Sequence, residues 1–188
     1  MNGRILGKGR LLSAAAAAIT ITAAGLSLHA GAAGAAGGVT PEGGTSGGSG
    51  DASGQFPIRG KHTYGEGLGA GRGHRGQDVL ASCGTKLVAP LAGKVRLVDY
   101  DGSGGGNYVV IKSKGGERFD YVMMHMQRKA SVREGQRVSA GETVGRVGTT
   151  GNATACLLHF EMWTSPGWYR GGNVENPKPF LKRWDRSS

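Results

Sequence analysis

From residue 56 onward, glycine keeps every apolar run short. The chain holds 37 glycines among 188 residues, and clusters such as "DGSGGGN" and "SKGGE" cut it into β-branched or aromatic stretches. These are "TKLVAP" (85–90), "GKVRLVDY" (93–100), "NYVVIKS" (107–113) and "RFDYVMMH" (118–125). Runs of this length and make-up, bounded by turn formers, read as strands. "VREGQRVSAGETVGRVG" then repeats a Gly-x-x-Val rhythm of short strands and tight turns, and "LLHFEMW" (157–163) is one more strand. No amphipathic helix is expected beyond a short turn at "KPFLKRW". The predicted class is all-β, an antiparallel sandwich or barrel-like fold.

The N-terminal region is built differently. Arg4, Lys8 and Arg10 precede the apolar stretch "LLSAAAAAITITAAGLSL", and small residues follow in "HAGAAGAAGG". This is the layout of a secretory signal peptide, expected over residues 1–36. The apolar run is nearly long enough for an uncleaved anchor, but its Thr, Ser and Gly content and the small-residue tail favour cleavage. Residues 37–55 are almost entirely Gly, Ser, Thr and Ala and read as a flexible linker. The folded domain is expected over residues 56–188, enough chain for one hydrophobic core. After cleavage no membrane segment remains, so the expected location is secreted, at the cell wall.

The formal net charge is +10, and the excess survives removal of the leader's three basic residues. Such an excess favours polyanions in general. The basic residues form no run or helical stripe in the sequence, so no nucleic-acid partner is expected. The two cysteines outside any motif, Cys83 and Cys156, read as one disulfide in an oxidising compartment. It would close a loop of about seventy residues and contribute roughly 4 kcal/mol on the chain-entropy model. The alternative is that Cys156, three residues before His159, ligates a metal.

Three segments imitate functional motifs. "GLGAGRG" (67–73) looks like a phosphate-cradling loop but neither follows a clear strand nor opens a helix. "DGSGGG" (101–106) is explained by a hairpin turn, and "VSAGETVG" lacks the tip lysine of a biotin- or lipoate-carrier hairpin. Three histidines carry the chemical interest, since His29 leaves with the leader and His62 lies in a polar approach to the domain. His74, in "GRGHRGQDV", stands four residues before Asp78, a separation that keeps two side chains on one side of a strand. His159 lies on a strand whose residues Leu157, His159 and Glu161 share one face. His74, Asp78 and His159 together offer two imidazoles and a carboxylate, the number of protein ligands zinc takes in hydrolytic sites.

"HRGQD", "YVMMHM" and "LLHFE", in this order and spacing, resemble the lysostaphin/LytM-type peptidases, the M23 metallopeptidase family. The resemblance spans roughly residues 56–180 and takes in "LVAPLAGKV" and "VREGQRVSAGETVGRVGTTGNAT". It implies a β-rich fold of the duplicated-hybrid-motif type with a groove across a sheet, and zinc-dependent cleavage of peptide cross-links in peptidoglycan. It also implies His74, Asp78 and His159 as Zn2+ ligands, and His125 as the residue that contacts the reacting water or the developing oxyanion. The departure is Leu157, where active family members carry the first histidine of a His-x-His motif, thought to act as a base. Leucine takes no proton, and the lost acid–base contribution is typically worth about 10²–10⁴ in rate. Two readings follow: a slowed zinc endopeptidase, or a catalytically inactive domain that binds peptidoglycan or regulates another cell-wall hydrolase as its partner. A Cys83–Cys156 bridge would hold the strand of His159 to the segment after Asp78. Tyr64, Tyr121, Trp163, Trp168 and Tyr169 are candidates to line a groove, with core packing as the default for most.

Overall fold

The computed structural model describes residues 54–188 apart from 72, 116 and 117. The expected signal peptide and nearly all of the expected linker lie outside these residues. In chain order the elements are β1 (His62–Tyr64), β2 (Gln77–Ala81), β3 (Lys86–Val88), β4 (Gly93–Asp101) and β5 (Gly106–Ser113). β6 (Asp120–Met126), β7 (Arg137–Val138), β8 (Thr143–Arg146), β9 (Leu157–Trp163), β10 (Val174–Glu175) and α1 (Lys178–Arg186) follow. All pairings are antiparallel. One sheet runs β1-β2-β9-β6-β5-β4-β7, with β10 on the end of β9, and β3 and β8 form a separate two-stranded sheet. The all-β expectation holds, and the five longest predicted runs become β3, β4, β5, β6 and β9.

The large sheet has two unlike faces. Leu158, Phe160 and Met162 of β9 project to one side with Val79, Ile111, Tyr121 and Met123, all fully buried in the main core. Leu87, Val144 and Val147 of the small sheet and Leu181 and Trp184 of α1 belong to the same core. On the other face only Tyr108, Val110, Val122 and Trp163 form a buried cluster, packed by Met124 and Trp168. The alternation along β9 therefore sorts a dry side from a side left open for chemistry. β9 is central, between β2 and β6, which is why His159 and Glu161 are buried even on the open side.

One expectation is corrected and one open choice is decided. "KPFLKRW" belongs not to a short turn but to α1, a nine-residue helix. Leu181 and Trp184 are buried along it and Phe180 packs against the same core, a short apolar stripe at helical spacing. Docking stabilises it, with Trp184 edge-on to Phe160 at 6.4 Å and Phe180 edge-on to Phe119 at 5.6 Å. Tyr121, a groove candidate, is fully buried in the core and its hydroxyl donates to the Leu91 carbonyl at 2.7 Å. Burial pushes its phenol well above the usual range.

Candidate metal centre

Strand register assembles the site. In the β2–β9 ladder Asp78 is the direct partner of His159, and residues paired this way share a face. Asp78 and His159, 81 residues apart, meet with His159 Nδ1 at 2.8 Å from Asp78 Oδ1. His74 approaches from the loop before β2, with Nε2 at 3.1 Å from the same oxygen. Its ring stands edge-on to that of His159 at 4.7 Å. Gly76 permits this closeness. A Cβ there would lie 2.4 Å from the Phe160 carbonyl oxygen and 2.8 Å from His159 Nε2.

Each imidazole is fixed from behind. His74 Nδ1 donates to the Gly67 carbonyl at 2.8 Å, so Nε2 is the nitrogen turned to the carboxylate. The loop carrying Gly67 is held in turn by the buried Gln77, whose amide donates to the Gly65 and Glu66 carbonyls at 3.0 and 2.9 Å. His159 Nε2 donates to Glu161 Oε1 at 3.2 Å, leaving Nδ1 toward Asp78. Glu161 also accepts from Trp163 Nε1 at 2.7 Å and Trp168 Nε1 at 3.0 Å. The sequence places Glu161 on the face of His159 but shows nothing of this anchoring. Its signal is the two-residue spacing.

The electrostatics follow. Burial pushes the Asp78 carboxyl upward, but hydrogen bonds and charge from His159 and His74 outweigh it, and the group lies below its ordinary value. Burial likewise opposes charge on His159, yet its hydrogen bonds to Asp78 and Glu161 raise the imidazole to about 9. Burial also acts to raise Glu161, and its bonds to His159 and Trp163 hold it low instead.

His125 closes the cleft on another side. It takes a left-handed backbone conformation, φ 60°, rare for a residue with a side chain. Met124 before it is paired with His159 and lines the cleft, while Met126 after it is fully buried in the core. The positive φ thus lets two consecutive residues, Met124 and His125, face the cleft, which a regular strand forbids. His125 N–H donates to the Gly105 carbonyl at 2.7 Å, and Nδ1 donates to the Thr150 carbonyl at 2.8 Å. Nε2 remains the available nitrogen, and the ring lies 6.0 Å from that of His159. Burial lowers the His125 imidazole below its ordinary value, so the ring is neutral at pH 7.

Leu157 lines the same cleft, a cavity of about 730 Å³, opposite Leu80 across the β2–β9 ladder. Of the aromatic candidates, Trp168 and Tyr169 line it, with Arg75 5.1 Å from the Tyr169 ring centre. Trp163 packs behind them, and Tyr64 packs with Phe56 and the main core instead. The Cys83–Cys156 disulfide is formed, across 73 residues of chain. Cys156 is therefore not a thiolate ligand. The described residues of "GLGAGRG" form no helix, and the Gly67 carbonyl accepts from Ala70 N–H at 3.1 Å as well as orienting His74.

His74, Asp78 and His159 each offer one ligand atom, all within 4.8 Å of one another. Both rings are tied on the far nitrogen to an acceptor, so the two near nitrogens and Asp78 Oδ1 converge as donors a cation can take. Two imidazoles and a carboxylate suit zinc among biological metals.

Such a group on the open face of an antiparallel sheet is a candidate metal centre. The chain belongs to peptidase family M23, whose model matches residues 72–176. It is 36% identical over 113 residues to the glycyl-glycine endopeptidase ALE-1 of Staphylococcus capitis, covering 60% of this chain and 30% of that protein. It is 34% identical over 130 residues to the murein hydrolase activator EnvC of Escherichia coli, covering 68% of this chain and 29% of that protein. Among solved structures it is similar to the catalytic domain of the antimicrobial peptidase lysostaphin from Staphylococcus simulans. There the TM-score is 0.58 with 31% identity, over 64% of this chain and 92% of that one. The chain thus spans less than a third of the two curated relatives' length.

Proposed function

We propose that this chain is an exported zinc endopeptidase that cleaves peptide cross-links of peptidoglycan, slowed by the leucine at position 157. The observation that carries the reading is the convergence of His74 Nε2, Asp78 Oδ1 and His159 Nδ1 in an open cleft that His125 also lines. In this reading His74, Asp78 and His159 hold the zinc, which supplies Lewis-acid polarisation of the scissile carbonyl and acidification of water. The Gly67 carbonyl and Glu161 keep the two imidazoles oriented from their far nitrogens, the arrangement by which outer partners strengthen metal binding. His125, lowered by burial and with Nδ1–H tied to the Thr150 carbonyl, accepts a proton at Nε2, and only once protonated there donates to the developing oxyanion. The indole and phenol rings of Trp168 and Tyr169 flank the cleft and orient an extended peptide.

Leu157 supports a second reading, in which the domain binds peptidoglycan or regulates another cell-wall hydrolase. Its side chain stands in the cleft and carries no proton, and one relative is a murein hydrolase activator. A single assay separates the two. The zinc-loaded protein and Leu157→His are incubated with cross-linked peptidoglycan, and new amino termini are counted. Release by the natural protein that a chelator abolishes supports the enzyme. Silence from it, with activity in Leu157→His, supports the regulator.

A further inference from the structure

Basic residues that are scattered in the sequence line up on the small sheet. Ile58 bridges Leu87, and Arg59 N–H donates to the Lys86 carbonyl at 3.0 Å, so Arg59 stands opposite Lys86. Lys86 is the direct partner of Arg146 across β3 and β8. Beyond β8, Met126 bridges Val147 and Gln127 N–H donates to the Arg146 carbonyl at 2.9 Å, which sets Gln127 opposite Arg146. Residues directly opposed in antiparallel pairing share a face. Arg59, Lys86, Arg146 and Gln127 therefore form one line across four segments, and all four are exposed. Their chain neighbours Ile58, Leu87 and Val147 point into the core. Three positive charges thus stand on successive strand spacings of about 4.8 Å, and exposed Arg128 and Lys129 follow directly after Gln127.

Nothing neutralises this line. Among the described residues the ion pairs lie elsewhere. Arg59 and Arg146 commit one guanidinium nitrogen each to neutral acceptors, the Gln55 side chain and the Gly84 carbonyl. A second row, Lys112–Lys94–Arg137, crosses β5, β4 and β7 but ends on Asp120, the partner of Lys112. Like charges directly opposed destabilise a sheet. The first row keeps three of them with no acid between.

We infer that this face of the small sheet binds a linear phosphodiester polymer of the cell wall. A narrow line of cations matches a chain of regularly spaced phosphates. A bilayer surface would call for apolar side chains to insert, and the large exposed ones, Leu68, Leu80, Tyr100 and Tyr169, are not in the row. Single-stranded nucleic acid would call for aromatic stacking platforms, and the row has none. The choice of the wall as the polymer's source rests on the function proposed above. The charge alignment does not, since it shares no residue with the cleft. The row nevertheless lies close to the cleft. Gln127 is two residues from His125, and Arg146 is two residues from Gly148, which bridges Leu157. A polymer held there keeps the cleft against the wall.

The test measures binding of the full domain to synthetic poly(glycerol phosphate) as a function of salt. Lys86→Glu places an acid between Arg59 and Arg146. It is expected to weaken binding at least about tenfold and to flatten the log–log salt slope by about one, with a thermal midpoint unchanged or higher. Lys86→Gln, which introduces no new ion pair, should show a smaller loss in the same direction. His159→Ala should bind as the natural protein does even where peptidase activity is gone, so failure of the enzyme reading leaves this result intact. Equal loss from Lys182→Glu on α1 assigns the binding to net charge and overturns the proposal. Equal loss from Lys94→Glu in the row ended by Asp120 moves it to another face and also overturns it. Tighter binding to oligo(dT) or to phosphatidylglycerol vesicles overturns the assigned occupant.

Discussion

The two sides of the cleft are built to different standards. On one side Asp78, His74 and His159 are held by strand register, by a backbone carbonyl and by a buried carboxylate that two indoles anchor. On the other side His125 depends on one left-handed residue and a bond to Thr150, and its neighbour in the cleft is the apolar Leu157. On the function proposed above, the contrast teaches that holding a metal and moving a proton are separable properties of one groove. The candidate ligands are secured by many reinforcing contacts, and proton transfer is left to a single imidazole.

Five measurements break or sharpen that contrast. His159→Ala removes the residue both carboxylates engage, and it should abolish stoichiometric zinc, read by mass spectrometry of the native protein. A variant that still binds one zinc per chain overturns the assignment of the metal-holding side. Leu157→His acts only on the other side. It should raise peptidoglycan turnover by about 10²–10⁴ with zinc content unchanged, and a rate no higher than the natural protein's counts against the missing base. Replacing Cys83 and Cys156 with serine cuts the tie between the segment after Asp78 and the start of β9. Unfolding in denaturant should show a loss of roughly 4 kcal/mol, with zinc affinity falling more than His125-dependent behaviour.

Glu161→Gln should lower zinc affinity about 10–100-fold, by competition with a chelator, while leaving the Thr150-bound His125 in place. The fifth measurement is one of pH. In the metal-free protein His159 is raised to about 9, so its contribution to stability is full below its unfolded value of about 6.5 and is lost as pH rises through 9. Zinc must displace that proton, so its affinity should climb about tenfold per pH unit across this window and level off above it. Calorimetry in buffers of different ionisation enthalpy counts the released proton. His125, lowered by burial, works in the opposite sense. Its contribution is present above about 6.5 and is lost as pH falls below that value.

Much of this was legible beforehand where local chemistry decides. Glycine clusters marked the strand ends because turns need their backbone freedom. The face of His159 followed from the period of a strand, whereas His74 meets Asp78 from the loop before β2 and not along a strand. A lone pair of cysteines in a chain with the layout of a signal peptide pointed to the bridge that the structure contains. α1 was passed over although Leu181 and Trp184 stand at helical spacing, because its apolar stripe is confined to one short nine-residue segment. Tyr121 was read as groove or core, and only the packing shows it to be core.

The sequence by itself determined the strand repertoire, the chemical types at the cleft and the apolar side chain at position 157. Each depends on residues close together in the chain, or on a single residue's own chemistry. Tertiary structure alone decided the rest. The β2–β9 register joined Asp78 to His159, the left-handed turn at His125 put consecutive side chains into one cleft, and the small sheet drew Arg59, Lys86 and Arg146 into line. The physical reason is common to all three. Pairing register and packing are set by the whole core, and they bring together residues whose separation along the chain carries no trace of the contact.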